Sequence, residues 1–394
     1  ARDTTFNEIA VLDGTFADRR FQIGAKEREA ATISVGNLRT TAIGNHIVRT
    51  SAATTATVSA TAVSLGSAAT FADEDFTIHG LLGSKTIDVV AATSARDIAE
   101  AVNIQFDQTG VTATASTNMK IQAKGTAGSA TLSIGLKGKN TTVRTVSAGI
   151  TLATAVTGSD LTGLSNSINA YSAETGIVSV LSADKTTIYL TQDEGYDIAL
   201  TDLDYADTTD DSRDLQVTGM DARIFDANGD ELLSGTAKTM TDTSHSSGAG
   251  KDAIVGGQIM MHSSHSFTAT TTNNNGDLFQ SSPGAATLNK VSELSLRTRS
   301  KSIDALKVVD KALDKVHMER AKLGAVMSRM HQAIDNLTNV SSNTASARSR
   351  IVDADMAAES AELAKAQVLQ QSAMAMISQA SRAQQSILTL LQGM

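Results

Sequence analysis

The stretch that decides the fold is LKVVDKALDKVHMERAKLGAVMSRMHQAIDNL, residues 306–337. Its apolar side chains recur at alternating steps of three and four, and only Arg320 breaks the series. The positions are Leu306, Val309, Leu313, Val316, Leu323, Met327, Met330, Ile334 and Leu337. This spacing predicts a helix whose narrow apolar seam packs against other helices, as in a coiled coil or an elongated bundle. An ordinary amphipathic helix lying on a globular core is the alternative.

Downstream of this seam the apolar pattern changes. The segment VSSNTASARSR at 340–350 loosens it, and the Asp-Ala-Asp run at 353–355 interrupts it. We therefore expect a second helix over 356–392, which forms a helical hairpin with the first. Its apolar residues cover more than one face, which suits packing among many neighbours; they include Leu363, Val368, Leu369, Met374, Ile377, Ile387, Leu388, Leu390 and Leu391. A membrane-surface helix is the rival hypothesis, but Lys365 and Arg382 are too few bases for it.

Composition separates this helical end from the rest of the chain. Residues 291–394 contain 13 Lys or Arg, 10 Asp or Glu and no aromatic residue, whereas the remainder contains 20 bases, 32 acids and every Phe and Tyr. Glycine is also concentrated in the remainder, which is typical of short strands and turns. The sequence predicts an α+β protein of several domains.

The glycine-bearing part contains an internal repeat. Residues 98–115 align with residues 164–181, so that Asn103 corresponds to Asn169 and Gly110 to Gly176. In each copy a helical pattern ends at glycine, the usual left-handed cap, and an alternating strand follows. We expect two related modules. We also expect a two-residue hairpin turn at Asn228-Gly229 and a loop over 235–253.

Charge and cysteine content exclude several classes of protein. The net charge is −9, which argues against binding to nucleic acid or to an anionic membrane surface. The absence of cysteine excludes disulfides, thiolate nucleophiles and zinc ribbons. No run of eighteen apolar residues is present, so we expect no membrane insertion.

The sequence nominates no catalytic residue, cofactor or metal ion. His262 and His265 are three residues apart without a zinc-protease motif, and we interpret them as a satisfied surface pair. The aspartates between Asp202 and Asp214 lack the spacing of a calcium loop and are interpreted as solvated turns. Motifs for phosphate, dinucleotide or nucleophilic-serine chemistry are missing as well, so we expect no enzyme.

The helical end resembles the carboxy-terminal core of bacterial flagellin. RAKLGA at 320–325, SRIVDAD at 349–355 and AQVLQQ at 366–371 occur in that family's order and spacing. Near the other end, TTFNEIAVLDGTF at 4–16 with RFQIGA at 20–25 resembles the strand entry of flagellin's outer core. GDLFQSSPGAATLNKVSELSLRT at 276–298 resembles the return into it, and the two repeats resemble the family's Ile-Asn modules.

The resemblance implies a domain organisation. Residues 1–45 are expected to form the β-rich entry of an outer core domain, and 46–150 and 151–270 the two modules of a variable outer domain. Residues 271–345 are expected to hold the return strand and the long helix, and 346–394 the C-terminal inner-core helix. Flagellins begin with long helices that would partner the seam, and this chain starts after them, so we expect about one hundred residues of the mature protein to lie outside it.

The implied function is that of an extracellular subunit, exported through the flagellar type III channel, that self-assembles into the filament used for motility. Further implied partners are an export chaperone at the C-terminal helix, the filament cap, hook-associated proteins and a host innate immune receptor. Two alternatives stay open. One is a hook–filament junction protein, and the other is a flagellin-like surface adhesin that binds glycans.

Overall fold

The computed structural model confirms the α+β prediction. It describes residues 4–6, 8–24, 29–50, 57–59, 75–90, 93–156, 158–206, 213–225, 231–233, 237–241, 250–271, 284–297 and 299–393. Within these ranges the chain forms many short antiparallel strands and a very long C-terminal helix.

The elements follow in chain order. The strands of the first part are β1 (Thr5–Phe6), β2 (Ile9–Ala10), β3 (Arg19–Gln22), β4 (Ala30–Ile33), β5 (Gly44–Arg49), β6 (Thr57–Ser59), β7 (Phe76–His79) and β8 (Ser84–Ile87). Then come α1 (Ala95–Ile104), α2 (Phe106–Thr109), β9 (Thr112–Lys124), β10 (Gly128–Lys137), β11 (Arg144–Leu152), α3 (Thr162–Ala170), α4 (Ser172–Thr175), β12 (Ile177–Leu181), β13 (Thr187–Gln192) and β14 (Ile198–Tyr205). The last part contains β15 (Asp214–Phe225), β16 (Glu231–Leu233), β17 (Lys238–Thr241), β18 (Asp252–Val255), β19 (Gln258–Ser263), β20 (Thr268–Thr271), β21 (Gly284–Ala285), β22 (Thr287–Lys290), a 3₁₀ turn (Val291–Glu293) and α5 (Arg299–Gln392).

Strand order brings distant parts of the chain together. One sheet has the order β12-β13-β9-β19-β5-β22, and β15 extends it by pairing with β9. A second sheet has the order β11-β10-β14-β18-β6, and a third has the order β21-β20-β7-β8. β9 pairs with β19 at one end and with β13 and β15 at the other, so it connects the two repeated modules.

Two hydrophobic clusters form the core of the sheets. The larger cluster contains Ile121, Leu132, Leu164, Ile168 and Leu200 among its buried members. The smaller cluster draws on a first segment, residues 48–115, and on a second, residues 259–269. Strands on both sides of the predicted boundary at 150/151 contribute to the larger cluster. The smaller cluster also contains residues from both sides of that boundary.

The internal repeat is confirmed as a structural repeat. In each copy a helix and a short second helix end at a glycine with φ of +72°, Gly110 in the first and Gly176 in the second. Asn103 Oδ1 accepts a hydrogen bond from the Ala113 amide at 2.7 Å, and its Nδ2 donates to the Ala113 carbonyl at 3.0 Å. Asn169 makes the same two bonds to residue 179, at 2.8 and 2.9 Å. Each asparagine therefore acts as a short substitute for a neighbouring strand.

A hairpin precedes the helices in both copies, so the repeat is longer than predicted. β7 pairs with β8 in the first copy, and β10 pairs with β11 in the second. A glycine at each hairpin turn lies against the end of the short helix. A Cβ on Gly80 or Gly138 would lie only 1.9 or 2.4 Å from the carbonyl oxygen of Thr109 or Thr175. This close approach requires glycine at both turns.

The expected helical hairpin at the C-terminal end is wrong. α5 continues from Arg299 to Gln392 through the segment 340–355 and through the predicted boundary at 345/346. That segment contains neither proline nor glycine, the residues that end helices most strongly. Its hydroxyl side chains bond within the helix instead, as Thr344 Oγ1 does to the Val340 carbonyl at 2.7 Å.

Two further predictions concern the segment between β15 and β18. The predicted loop at 235–253 is interrupted by β17, which pairs with β15, and by the start of β18. β15 and β16 pair antiparallel, as a hairpin requires, but the predicted turn at Asn228-Gly229 lies outside the described residues.

Contacts divide the chain into two compact units. One consists of residues 1–15 and 36–319 and contains both hydrophobic clusters. The other consists of residues 16–35 and 320–394, with the β3–β4 hairpin and the larger part of α5. Among the helices described here, none is long and apolar enough to cross a membrane.

Candidate assembly surface

The first turns of α5 pack on the sheet that contains β5, β9 and β19. Ala305, Val308 and Ala312 are buried, and Val308 is only 2% exposed. Lys307 Nζ donates to Thr114 Oγ1 of β9 at 3.3 Å, and Lys315 Nζ donates to the Ala42 carbonyl at 3.2 Å. We call this side of the helix the docked face. It joins α5 to strands that precede the predicted boundary at 270/271.

Small and basic residues make this docking possible. The docked residues repeat at steps of three and four, so they share one side of the helix. The lysines bury their aliphatic stems and keep the ammonium groups at polar partners. Further along the helix, a Cβ on Gly36 would lie 3.1 Å from Glu319 Oε1, so the absence of a side chain at Gly36 leaves room for this buried carboxylate.

The predicted seam lies on another side of α5. Leu306, Val309 and Leu313 lie roughly 90° around the helix axis from the docked face, at about 100° per residue. Most seam positions are exposed: Leu306 (65%), Val309, Leu313, Met327, Ile334 and Leu337. Val316, Leu323 and Met330 are half-buried. The structure therefore places all nine residues on one helix but leaves most of their apolar surface uncovered.

The C-terminal part of α5 is more exposed still. From residue 334 onward, every helix position whose side chain is described is exposed. This includes the predicted packing residues Leu369, Met374, Ile377, Ile387, Leu388, Leu390 and Leu391, the last of which is 78% exposed. Large apolar side chains on all sides of a helix are typical of helices that are buried in a larger assembly.

Electrostatics also distinguish the docked face. Burial lowers the pKa of the Lys307 ammonium, and the carboxylates of Asp304 and Asp193 partly offset this. Burial and, to a smaller extent, the charges of Lys307, Lys311 and Arg49 together lower the pKa of the His262 imidazole to about 3. The interpretation of His262 and His265 as a surface pair is therefore wrong for His262, which is buried in β19.

The described residues contain no group of three or more His, Asp or Glu able to hold a metal ion. The aspartates interpreted as solvated turns are partly in strands: Asp202 and Asp204 lie in β14, and Asp214 begins β15. Asp214 Oδ2 lies 3.3 Å from Lys124 Nζ, and the two side chains form an ion pair between β15 and β9.

Comparison with known proteins identifies both the helical end and the first module. Residues 306–391 match the family model of the bacterial flagellin C-terminal helical region. Residues 75–127 match the model of the flagellin hook IN motif, which covers the first copy of the repeat. The predicted resemblance is confirmed over these residues. The paired bonds of Asn169 show that the second copy has the same local structure.

Curated relatives agree with these matches. The chain is 32% identical to B-type flagellin of Pseudomonas aeruginosa over 228 residues, which are 58% of this chain and 44% of that protein. It is 46% identical to flagellin of Bacillus subtilis over 86 residues, 22% of this chain and 28% of that protein. It is 38% identical to polar flagellin C of Vibrio parahaemolyticus over 102 residues, 26% of this chain and 27% of that protein. The chain thus spans less than half the length of these relatives.

Proposed function

We propose that this chain, with its flagellin C-terminal helical region and flagellin IN motif, is a structural subunit of the bacterial flagellar filament. In this proposal it acts outside the cell, in a helical homopolymer that serves motility. Its chemistry is assembly, not catalysis. The matched regions and the curated flagellins support this function.

The observation that carries the proposal is the uncovered apolar surface of α5. Full burial of one Leu, Ile or Met side chain contributes about 1.5–3 kcal/mol, so the exposed residues of this helix represent a large unused driving force. A single subunit covers few of them, because its sheets bury only the docked face. Neighbouring subunits would cover the rest, with the predicted seam and the C-terminal residues as the packing positions.

The remaining predicted partners belong to the same proposal. An export chaperone would bind the C-terminal part of α5 before assembly, because this part is apolar on every side. The filament cap and hook-associated proteins would contact the filament ends. A host innate immune receptor is the further partner that the family resemblance implies.

The proposal is tested by a charge placed on the exposed side of α5. Leu313→Asp should abolish filament formation in the flagellated bacterium, because burying an unpaired carboxylate in a helix interface costs more than the about 2–7 kcal/mol of an unpaired neutral amide or hydroxyl. The folded subunit should survive, because Leu313 is already half in water. Filament yield by electron microscopy and subunit folding by circular dichroism measure the two effects.

Gln332→Asp is the matched control, since it adds the same charge at an exposed polar position of the same helix. It should leave the filament yield unchanged. A normal yield from Leu313→Asp would remove this side of α5 from the interface.

The hook–filament junction remains the second candidate, because the matched IN motif is described as a hook motif. The two candidates differ in the length of the polymer. Purified subunits of a filament protein should elongate filament seeds to micrometre length, whereas a junction protein should stop after a short cap.

A further inference from the structure

His262 lies buried where β19 passes beneath α5. Its Nδ1 is 2.8 Å from Asn45 Nδ2 on β5, and its Nε2 is 3.0 Å from Thr114 Oγ1 on β9. Thr114 Oγ1 also accepts a hydrogen bond from Lys307 Nζ of α5. A single chain of polar contacts therefore runs from the helix through the threonine and the imidazole to Asn45.

A neutral imidazole satisfies these hydrogen bonds. Asn45 Nδ2 donates to the unprotonated Nδ1, and Nε2–H donates to Thr114 Oγ1, which also accepts from Lys307 Nζ. Both ring nitrogens therefore have partners when the imidazole is neutral. A proton on Nδ1 would remove this acceptor and place a second donor against the Asn45 amide.

The groups that face His262 are predominantly cationic. From α5 these are Lys307 and Lys311, and from β5 Arg49. His46 on β5 lies next to β19 and faces Lys315 and His265. The acids Asp304 and Asp193 act on Lys307, and Asp314 Oδ2 lies 3.5 Å from Lys311 Nζ. A proton on His262 would thus add a buried positive charge beneath a row of lysines.

We propose that His262 makes the docking of α5 acid-labile: protonation of this imidazole releases residues 301–319 of the helix from the sheet while both hydrophobic clusters stay folded. The released segment exposes Ala305, Val308 and Ala312, and it frees Lys307 and Lys311 to move away from the imidazolium. The device lies within one compact unit and does not depend on the proposed filament function.

The direction of the pH effect follows from linkage. The pKa of His262 is about 3 when α5 is docked and returns towards its usual value of 6.5 when the ring meets water. The docked state therefore has its full stability above pH 6.5 and loses it as the pH falls from 6.5 towards 3. Each pH unit in this window shifts the equilibrium about tenfold towards release. His46, whose pKa is also lowered by burial and by Lys315, acts with the same sign.

A thiol probe tests this in the whole chain, which has no cysteine of its own. Val308→Cys places the probe on the docked face, and Leu313→Cys places it at an exposed position of the same helix. Reaction with a pyridyl disulfide, which labels thiols in acid as well, gives the ratio of the two labelling rates. This ratio should rise up to about a hundredfold between pH 6.5 and pH 4.5.

His262→Gln should remove most of the rise and leave only the smaller contribution of His46, since glutamine is neutral throughout, whereas His317→Gln on the exposed side of α5 should leave the full rise. If His262→Gln loosens the helix already at neutral pH, Lys307→Met provides a second test, because removal of this cation should make the rise smaller. A ratio that does not change with pH in the parent chain would overturn the proposal. So would an equal rise in His262→Gln, or loss of the buried Tyr189 and Tyr205 fluorescence signal over the same pH range.

Discussion

Leucine and isoleucine side chains are buried in the second module but exposed in the last part of α5. On α3, Leu164 and Ile168 are completely buried in the larger hydrophobic cluster. On α5, Ile387 and Leu388 are more than 60% exposed. Both segments are regular helices, so the difference lies in what covers them. The module covers these side chains itself, whereas the part of the chain that the structure describes does not cover the end of α5.

Backbone polar groups show the same contrast. β12 ends its sheet, and side chains of its own module occupy its outer edge: Asn169 bonds residue 179, and Thr175 Oγ1 accepts from the Ile177 amide. An uncovered edge would invite another strand to pair. α5 has no such need, because its interior backbone groups bond within the helix. The modules are thus closed to neighbours, and α5 is open to them.

The largest difference between the two regions should appear on truncation of isoleucine. Ile168→Ala should lower the free energy of unfolding of the second module by about 2–5 kcal/mol, because it removes buried methylenes and leaves a cavity. All four tyrosines lie between residues 171 and 205, so tyrosine fluorescence during denaturant unfolding reports on this module.

Ile387→Ala is the matched control, with the same atoms removed from an exposed helix position. It should change the free energy of unfolding by less than about 0.5 kcal/mol. If the two variants lose equal stability, Ile387 is covered within the monomer, and the contrast between the regions fails.

A smaller effect is expected at the protected edge of β12. Asn169→Leu keeps the shape of the side chain but removes both bonds to residue 179, so the module should lose about 1–3 kcal/mol of unfolding free energy. The same tyrosine signal measures it.

Asn166→Leu, at an exposed position of the same helix, should be nearly neutral in that measurement. The uncovered edge also predicts slow aggregation of Asn169→Leu, visible by light scattering. Equal stability of the two variants would mean that water replaces the asparagine amide at no cost.

Local signals made the modules predictable in part. Glycine at the end of a helical pattern indicates a left-handed cap, and both caps are present. The paired bonds of Asn103 and Asn169 were missed, because an asparagine in a helical pattern has no feature that predicts a strand ten residues later as its partner. Its recurrence at the same place in both copies was the available signal.

The docked face was missed for a different reason. The strong periodicity of Leu306, Val309 and Leu313 predicts packing on the side of α5 that is exposed in the structure. Ala305, Val308 and Ala312 are smaller and give a weaker pattern. The burial of His262 follows from the same omission. β19 places Ile259 and Met261 in a hydrophobic cluster and His262 on the opposite face, which is buried because α5 covers it.

The smallest predicted effect concerns the cap of the first module. Gly110→Ala should destabilise the α1–β9 segment by about 1 kcal/mol, because a Cβ makes the left-handed conformation unfavourable. Steric contact adds little, since the new methyl would lie 3.6 Å from the nearest atom, Leu82 Cγ. Amides of residues 95–115 should therefore exchange about fivefold faster with deuterium, while those of the second module keep their rates.

Gly149→Ala is the control, because its Cβ would meet nothing within 4 Å. Its backbone is a strand of ordinary conformation, so this variant should be neutral or slightly more stable. Faster exchange in both modules of Gly110→Ala would mean that the modules unfold as one unit. In that case the shared strand β9 would couple their unfolding, although each module has its own hydrophobic cluster.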